Sequence, residues 1–179
     1  QAKNAGATSV DSVTPTPVVK PAAKQAIDDA LKAKNDAIDS NNDLTAEEKA
    51  KAKEDAKAKA DAAKQAIDKA TTNDAVTQAK NAGATSVDSV TPTPVVKPAA
   101  KQAIDDALKA KNDAIDSNND LTAEEKAKAK EDAKAKADAA KQAIDKATTN
   151  DAVTQAKNAG ATSVDSVTPT PVVKPAAKQ

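Results

Sequence analysis

The stretch TAEEKAKAKEDAKAKADAAKQAIDKA, residues 45–70, decides the fold. Its opening, Thr45-Ala46-Glu47-Glu48, is a capping box. The threonine side chain takes one orphan N–H of the first helical turn, and Glu48 reaches back to another. The pattern predicts one helix from just after Thr45 to about Ala70, about 37 Å long at 1.5 Å per residue. Ala56, Ala60, Ala63, Ile67 and Ala70 fall at steps of four and three and form its inward stripe. The stripe is nearly all alanine, which lets neighbouring helices approach closely while burying little area per contact.

On the N-terminal side a first helix is expected from Pro21, since proline is favoured at the first helical position and Lys20 before it is pushed out of helical geometry. Ala23, Ile27, Ala30, Leu31 and Ile38 make its apolar stripe, with Lys34 as an interruption. Asp28, Lys32 and Asp36 form a ladder of i,i+4 charges on another face. Asn41 and Asn42 place its end near Ser40. On the C-terminal side a third helix is expected from Asp74 after the Thr71-Thr72-Asn73 turn, with Val76, Ala79, Gly83, Val87 and Val90 on one face. Gly83 permits two readings: a C-cap that ends the helix at Ala82, or a close helix crossing inside a longer helix. The stripe that continues to Val90 favours the second, and Thr91-Pro92 then stops the helix.

The whole pattern recurs. QAKNAGATSVDSV begins at Gln1, Gln78 and Gln155, and the segment from Pro21 returns unchanged from Pro98, a period of 77 residues. The expected class is all-α, as tandem three-helix bundles joined by short proline-rich linkers into an elongated rod. Residues 1–13 read as the third helix of a preceding repeat, 14–20 as a linker, and 21–90 as one bundle. Residues 91–97 are then a linker, 98–167 the identical second bundle, and 168–179 a linker with the start of another copy. Both ends fall inside a repeat, so the chain reads as an excerpt of a longer array. Pro92, Pro94 and Pro98 favour extended, semi-rigid geometry in the linker. Each repeat has only ten large aliphatic residues (five Val, three Ile, two Leu), so one isolated repeat is expected to have modest stability and to need its neighbours.

Composition excludes many functions. The 179 residues include no Trp, Tyr, Phe, Cys, Met or His, and the 27 cations are all lysine. No imidazole base, thiolate nucleophile or ordinary zinc site is available. No aromatic ring is present to stack on bases or sugars, and no guanidinium fork is present for phosphate. No catalytic, cofactor-binding or metal-binding residue is assigned, and no cofactor is expected. The 27 lysines balance 27 acidic residues, which argues against nucleic acid and against a polybasic membrane anchor. A full repeat carries 12 lysines and 13 acidic residues, so a long array is mildly acidic. No run approaches the roughly 18 apolar residues of a membrane span. No signal peptide or C-terminal sorting signal is read in the chain.

Four patterns invite sharper readings. Asp39, Asn41 and Asp43 begin like a calcium loop, but Leu44 stands where the loop needs glycine and Ala50 where it needs the bidentate glutamate, so a polar turn is the better reading. Asp28-Asp29, Glu47-Glu48 and Glu54-Asp55 are paired carboxylates on lysine-rich, solvated helical stretches rather than acid–base machinery. The Lys-Ala alternation at residues 49–60 is interrupted by Glu54 and Asp55 and reads as a solvated face. The Thr-Pro pairs read as linker, with glycosylation of a secreted stalk as the lesser reading.

Three local patterns, PAAKQAIDDALKAKNDAI, LTAEEKAKA and ATTNDAVTQAKNAGATSVDSVTP, together with the period, resemble the tandem three-helix repeats of Gram-positive cell-wall-anchored surface proteins, the Ebh and SasC type catalogued as domain of unknown function 1542. The resemblance covers the whole chain. It implies a three-helix fold, an extracellular, cell-wall-anchored location, and roles in surface display, adhesion or biofilm, with no catalytic residues. The leading functional expectation is a non-enzymatic stalk that projects an adhesive domain. The alternatives are a repeat that binds a host protein weakly by avidity, or a disordered desiccation protein. The partners expected are neighbouring repeats of the same chain and an unknown host protein. The chain is expected to be a monomer that binds neither nucleic acid nor membrane.

Overall fold

The computed structural model describes residues 15–179, so the expectation for residues 1–13 lies outside the described residues. Among the described residues every regular element is an α-helix. In chain order these are α1 (Val19–Asp39), α2 (Ala46–Lys69), α3 (Asn73–Asp88), α4 (Val96–Asp116), α5 (Ala123–Lys146), α6 (Asn150–Asp165) and the short α7 (Val173–Ala177). The chain forms two compact units. Among the described residues the first contains 15–37 with Lys53–Thr91, and the second contains Ile38–Ala52 with Pro92–Gln179. The Asp39–Thr45 turn and the adjoining ends of α1 and α2 therefore pack within the second unit.

In the first unit, Ala23 and Ile27 from α1, Ala60, Ala63 and Ile67 from α2, and Val76 and Val87 from α3 form the core. Ala30, Leu31, Ala70, Ala79 and Ala84 pack at its margin. These are the inward faces that the helical spacing marks. Lys24 pairs with Asp68 and Lys64 with Asp28, tying α1 to α2 along the outside. Asp28 thus turns to the neighbouring helix, and only Lys32–Asp36 of the expected ladder forms, at 2.8 Å. Such exposed pairs add little stability each.

α3 runs straight through Gly83, which is buried and keeps ordinary helical geometry without a positive φ. The reason lies in the packing. A Cβ on Gly83 would lie 2.3 Å from the Ala63 Cβ and 3.0 Å from Ile27 Cδ1. The glycine lets α3 close onto α1 and α2 where their own side chains are already at contact. The second unit repeats this at Gly160, against Ala140 and Ile104.

In the second unit α4, α5 and α6 pack on one another in all three pairs. One core layer joins Ala100, Ile104, Ala137, Ala140, Ile144, Val153 and Val164. A second joins Ile115, Leu121, Ala129, Ala133 and Val167, with Leu108 between them.

The helix starts differ from expectation. α1 and α4 begin at Val19 and Val96, two residues before the prolines, and Lys20 and Lys97 are helical. Proline is harmless at the third position too, because the first four N–H groups have no intrahelical partner. The strain on the residue before proline is offset by side-chain contacts: Lys20 Nζ donates to Asp68 O at 2.7 Å, and Lys97 Nζ to Asp145 O at 2.7 Å.

The glycine crossing makes a direct prediction. Gly83→Ala together with Gly160→Ala gains up to about 1 kcal/mol of helix propensity per site. It loses roughly 1–3 kcal/mol per site to overpacking. Thermal unfolding followed by circular dichroism should show a lower midpoint, and adding Ala63→Gly and Ala140→Gly should recover part of it.

Candidate functional site

A densely bonded polar cluster lies at the corner Asn41–Lys49, within the second unit. Asn41 Oδ1 accepts the Asp43 N–H at 3.1 Å and shapes the turn. Leu44 is buried beside it. Thr45 then opens α2 with the expected capping box. Its N–H donates to Glu48 Oε1 at 3.0 Å, and the Glu48 N–H donates to Thr45 Oγ1 at 3.3 Å.

Glu48 has a second task. α4 has no side-chain cap of its own, and its Val95 and Val96 N–H groups donate to Glu48 Oε2 at 2.9 and 3.4 Å. One carboxylate therefore caps two helices whose starts lie 47 or more residues apart. Partial burial pushes its carboxyl up, but the N–H groups of Thr45, Val95 and Val96 more than reverse this and hold it below the usual glutamate value. At the copy, the Thr122 and Val172 N–H groups hold Glu125 down in the same way.

Lys97 fills the corner from α4. Its side chain is buried, with the residue only 4% exposed. Its Nζ donates to Asn42 O at 2.8 Å and to Asp145 O, in the last turn of α5, at 2.7 Å. A buried ammonium is tolerated where its donors meet carbonyls, and the C-terminal end of a helix favours a cation. Two further bonds complete the corner. The Ala46 N–H donates to Thr148 O at 2.7 Å, and the Asn150 N–H donates to Glu47 Oε2 at 2.9 Å. A shallow pocket of about 370 Å³ lies between Leu44, Lys49, Lys97 and Thr148. A second groove of about 460 Å³ runs from Glu125 to Val172 beside Pro169.

The other sequence patterns fall on turns, helix caps and exposed helix faces, with Lys49 and the Thr168-Pro169 pair at the rims of these two pockets. The turn oxygen of Asn41 is taken by a backbone N–H, and among the described residues no group of three or more acidic side chains gathers into a metal cage. Asp28 meets Lys64, Asp29 accepts from Gln25 at 3.0 Å, and Glu47 and Glu48 cap helices, while Glu54 and Asp55 are exposed. In the 49–60 stretch Ala52, Ala56 and Ala60 are buried, and Lys51, Lys57 and Lys59 are exposed. Thr91 and Thr93 are exposed in the segment before α4, Val96 packs on the core, and Val95 stays exposed. Sequence reasoning missed Lys97 and the second role of Glu48. Their one signal was the position of Lys97 against Pro98, which on its own reads only as a helix start.

The family model described as Domain of Unknown Function (DUF1542) matches residues 19–95 and again residues 96–172. The chain belongs to the DUF1542 family. The two matches start at the observed starts of α1 and α4, so each DUF1542 unit runs from one such helix to the residue before the next. Among its relatives is the extracellular matrix-binding protein ebh of Staphylococcus aureus strain MRSA252, 33% identical over 79% of this chain. The protein of the same name from strain USA300 / TCH1516 is 32% identical over 89% of the chain, as is EbhA of strain Newman. The chain spans between 1% and 5% of the length of these relatives. No solved structure matches it.

The shared cap gives a pH prediction. The folded state holds Glu48 and Glu125 below their ordinary value, so this stabilisation is complete above that value. It is lost as pH falls through the lower, folded one. Glu48→Gln with Glu125→Gln should flatten the fall of the urea midpoint between about pH 5 and pH 3 relative to the parent chain. Glu48→Ala should cost about 1–2 kcal/mol at pH 7, as a lost cap does.

Proposed function

We propose that the chain is a non-enzymatic structural repeat of a bacterial cell-surface protein, a stalk that holds an adhesive domain away from the cell wall. The observation that carries the reading is the identity of the two copies, each built on an alanine–glycine core, with the second copy's first helix capped by the first copy's Glu48. Units that cap one another in sequence add length with each copy. The bundles expected at 21–90 and 98–167, whose first helices begin at Val19 and Val96, are the repeating bodies of this array, and no residue in them is assigned a catalytic, cofactor or metal role. An extracellular, wall-anchored location fits relatives named as extracellular matrix-binding proteins.

The same relatives favour a second reading, in which each copy offers a weak site for a matrix protein and gains by avidity. Exposed Val95 and Val172, beside the linker prolines, are the apolar positions such a site would use. The missing aromatics and arginines leave it without the usual anchors of a strong interface.

Small-angle scattering on chains of two, four and six copies separates spacer from globule. The stalk predicts a maximum dimension that rises linearly with copy number, and a compact profile would remove it. Reproducible capture of one matrix protein by a six-copy chain but not by a two-copy chain would move the assignment to the binding reading.

A further inference from the structure

The sequence NNDLTAEEK occurs twice, at 41–49 and at 118–126, and the two corners have different surroundings. At the first, Thr45 is fully buried, the Ala46 N–H meets Thr148 O, Glu47 accepts the Asn150 N–H, and Lys97 spans Asn42 O and Asp145 O. At the second, two of the corner's bonds recur. The Val172 N–H donates to Glu125 Oε2 at 3.0 Å, and Lys174 Nζ donates to Asn119 O at 2.7 Å. These repeat the bonds of Val95 to Glu48 and of Lys97 to Asn42 in the same register. Thr122 is partly exposed where Thr45 is buried, and Lys174 is exposed where Lys97 is buried, while Ala46, Glu47, Ala123 and Glu124 are exposed at both corners. Identical residues differ in burial only through what covers them, so the pair acts as an internal control.

We infer that the corner 118–126 is a docking surface whose occupant is a further identical copy in the same chain. That copy lays the turn between its second and third helices over Thr122, Ala123 and Glu124. Its counterpart of Thr148 accepts the Ala123 N–H, its counterpart of Asn150 donates to Glu124, and Lys174 gains a carbonyl at the end of its second helix. α7, at Val173–Ala177, is the first turn of that copy and is already seated. Charge supports the fit, because the corner offers a carboxylate to a helix N-terminus and receives a lysine at carbonyls. The inference concerns how copies join and holds whatever the array carries.

The chain has no cysteine, so single thiols report one corner at a time although the copies are identical. Thr45→Cys and Thr122→Cys remove the same cap at equivalent positions, and circular dichroism checks that both variants stay helical. In the 179-residue chain the thiol at position 122 should react with a maleimide at least tenfold faster than the thiol at 45. In a chain lengthened by one 77-residue copy, position 122 should slow to the rate of position 45. Unchanged reactivity at 122 after lengthening overturns the inference, as do equal rates at both positions in the shorter chain. Slowing at 122 in the shorter chain as its concentration rises would assign the surface to a separate molecule instead. If the threonine variants unfold, cysteine pairs that keep the cap take over. Ala46→Cys with Thr148→Cys should oxidise to a disulfide, and so should Ala123→Cys with the added copy's counterpart of position 148. Failure of the second pair where the first forms overturns the inference.

Discussion

Everything in each bundle depends on how closely three helices approach at Gly83. The site has no room for a methyl group: Ala63 and Ile27 occupy it from the other two helices. A core made mostly of alanine has little area to bury, so its cohesion comes from proximity, with many short contacts replacing a few large ones. Glycine and alanine at the crossing set the helix separation, and Ile27, Ile67 and Val87 fill the space left at that separation. The missing aromatics follow from the same constraint, since a ring at any of these positions would force the helices apart.

A core of this kind leaves the ends of the helices to be held by other means. Thr45, Thr72, Thr122 and Thr149 each cap a helix start. Glu48 extends one such cap to α4, and Lys97 closes the last turn of α5. These bonds are polar and directional, so they fix register more than they add energy. They also make one copy's sequence incomplete by itself, because α4 takes its cap from residues that precede it by 47 positions. An array built this way gains order as it lengthens, in the manner of other repeat proteins.

Local features were legible in the sequence. The box at Thr45 and Glu48, the alanine stripe of α2, the stop near Ser40 and the passage of α3 through Gly83 all follow from neighbours within a few turns. The burial of Lys97 did not, because a lysine on a helical face reads as solvated until a turn 55 residues away supplies Asn42 O. The burial of Thr45 and the second role of Glu48 were hidden for the same reason. The starts of α1 and α4 at Val19 and Val96 were missed because proline's rule for its preceding residue is local, and the contacts that offset it lie about 48 residues on. Periodicity finds what a helix does with itself, and contacts that bring distant turns together leave no period.

The central claim is that a small, close-packed core leaves each copy dependent on its neighbours. Thermal unfolding of one copy, residues 19–95, beside chains of two, three and four copies tests it most directly. The account predicts a midpoint that is lowest for the single copy and climbs with each addition before levelling off. A single copy that melts as high as the longest array would contradict it.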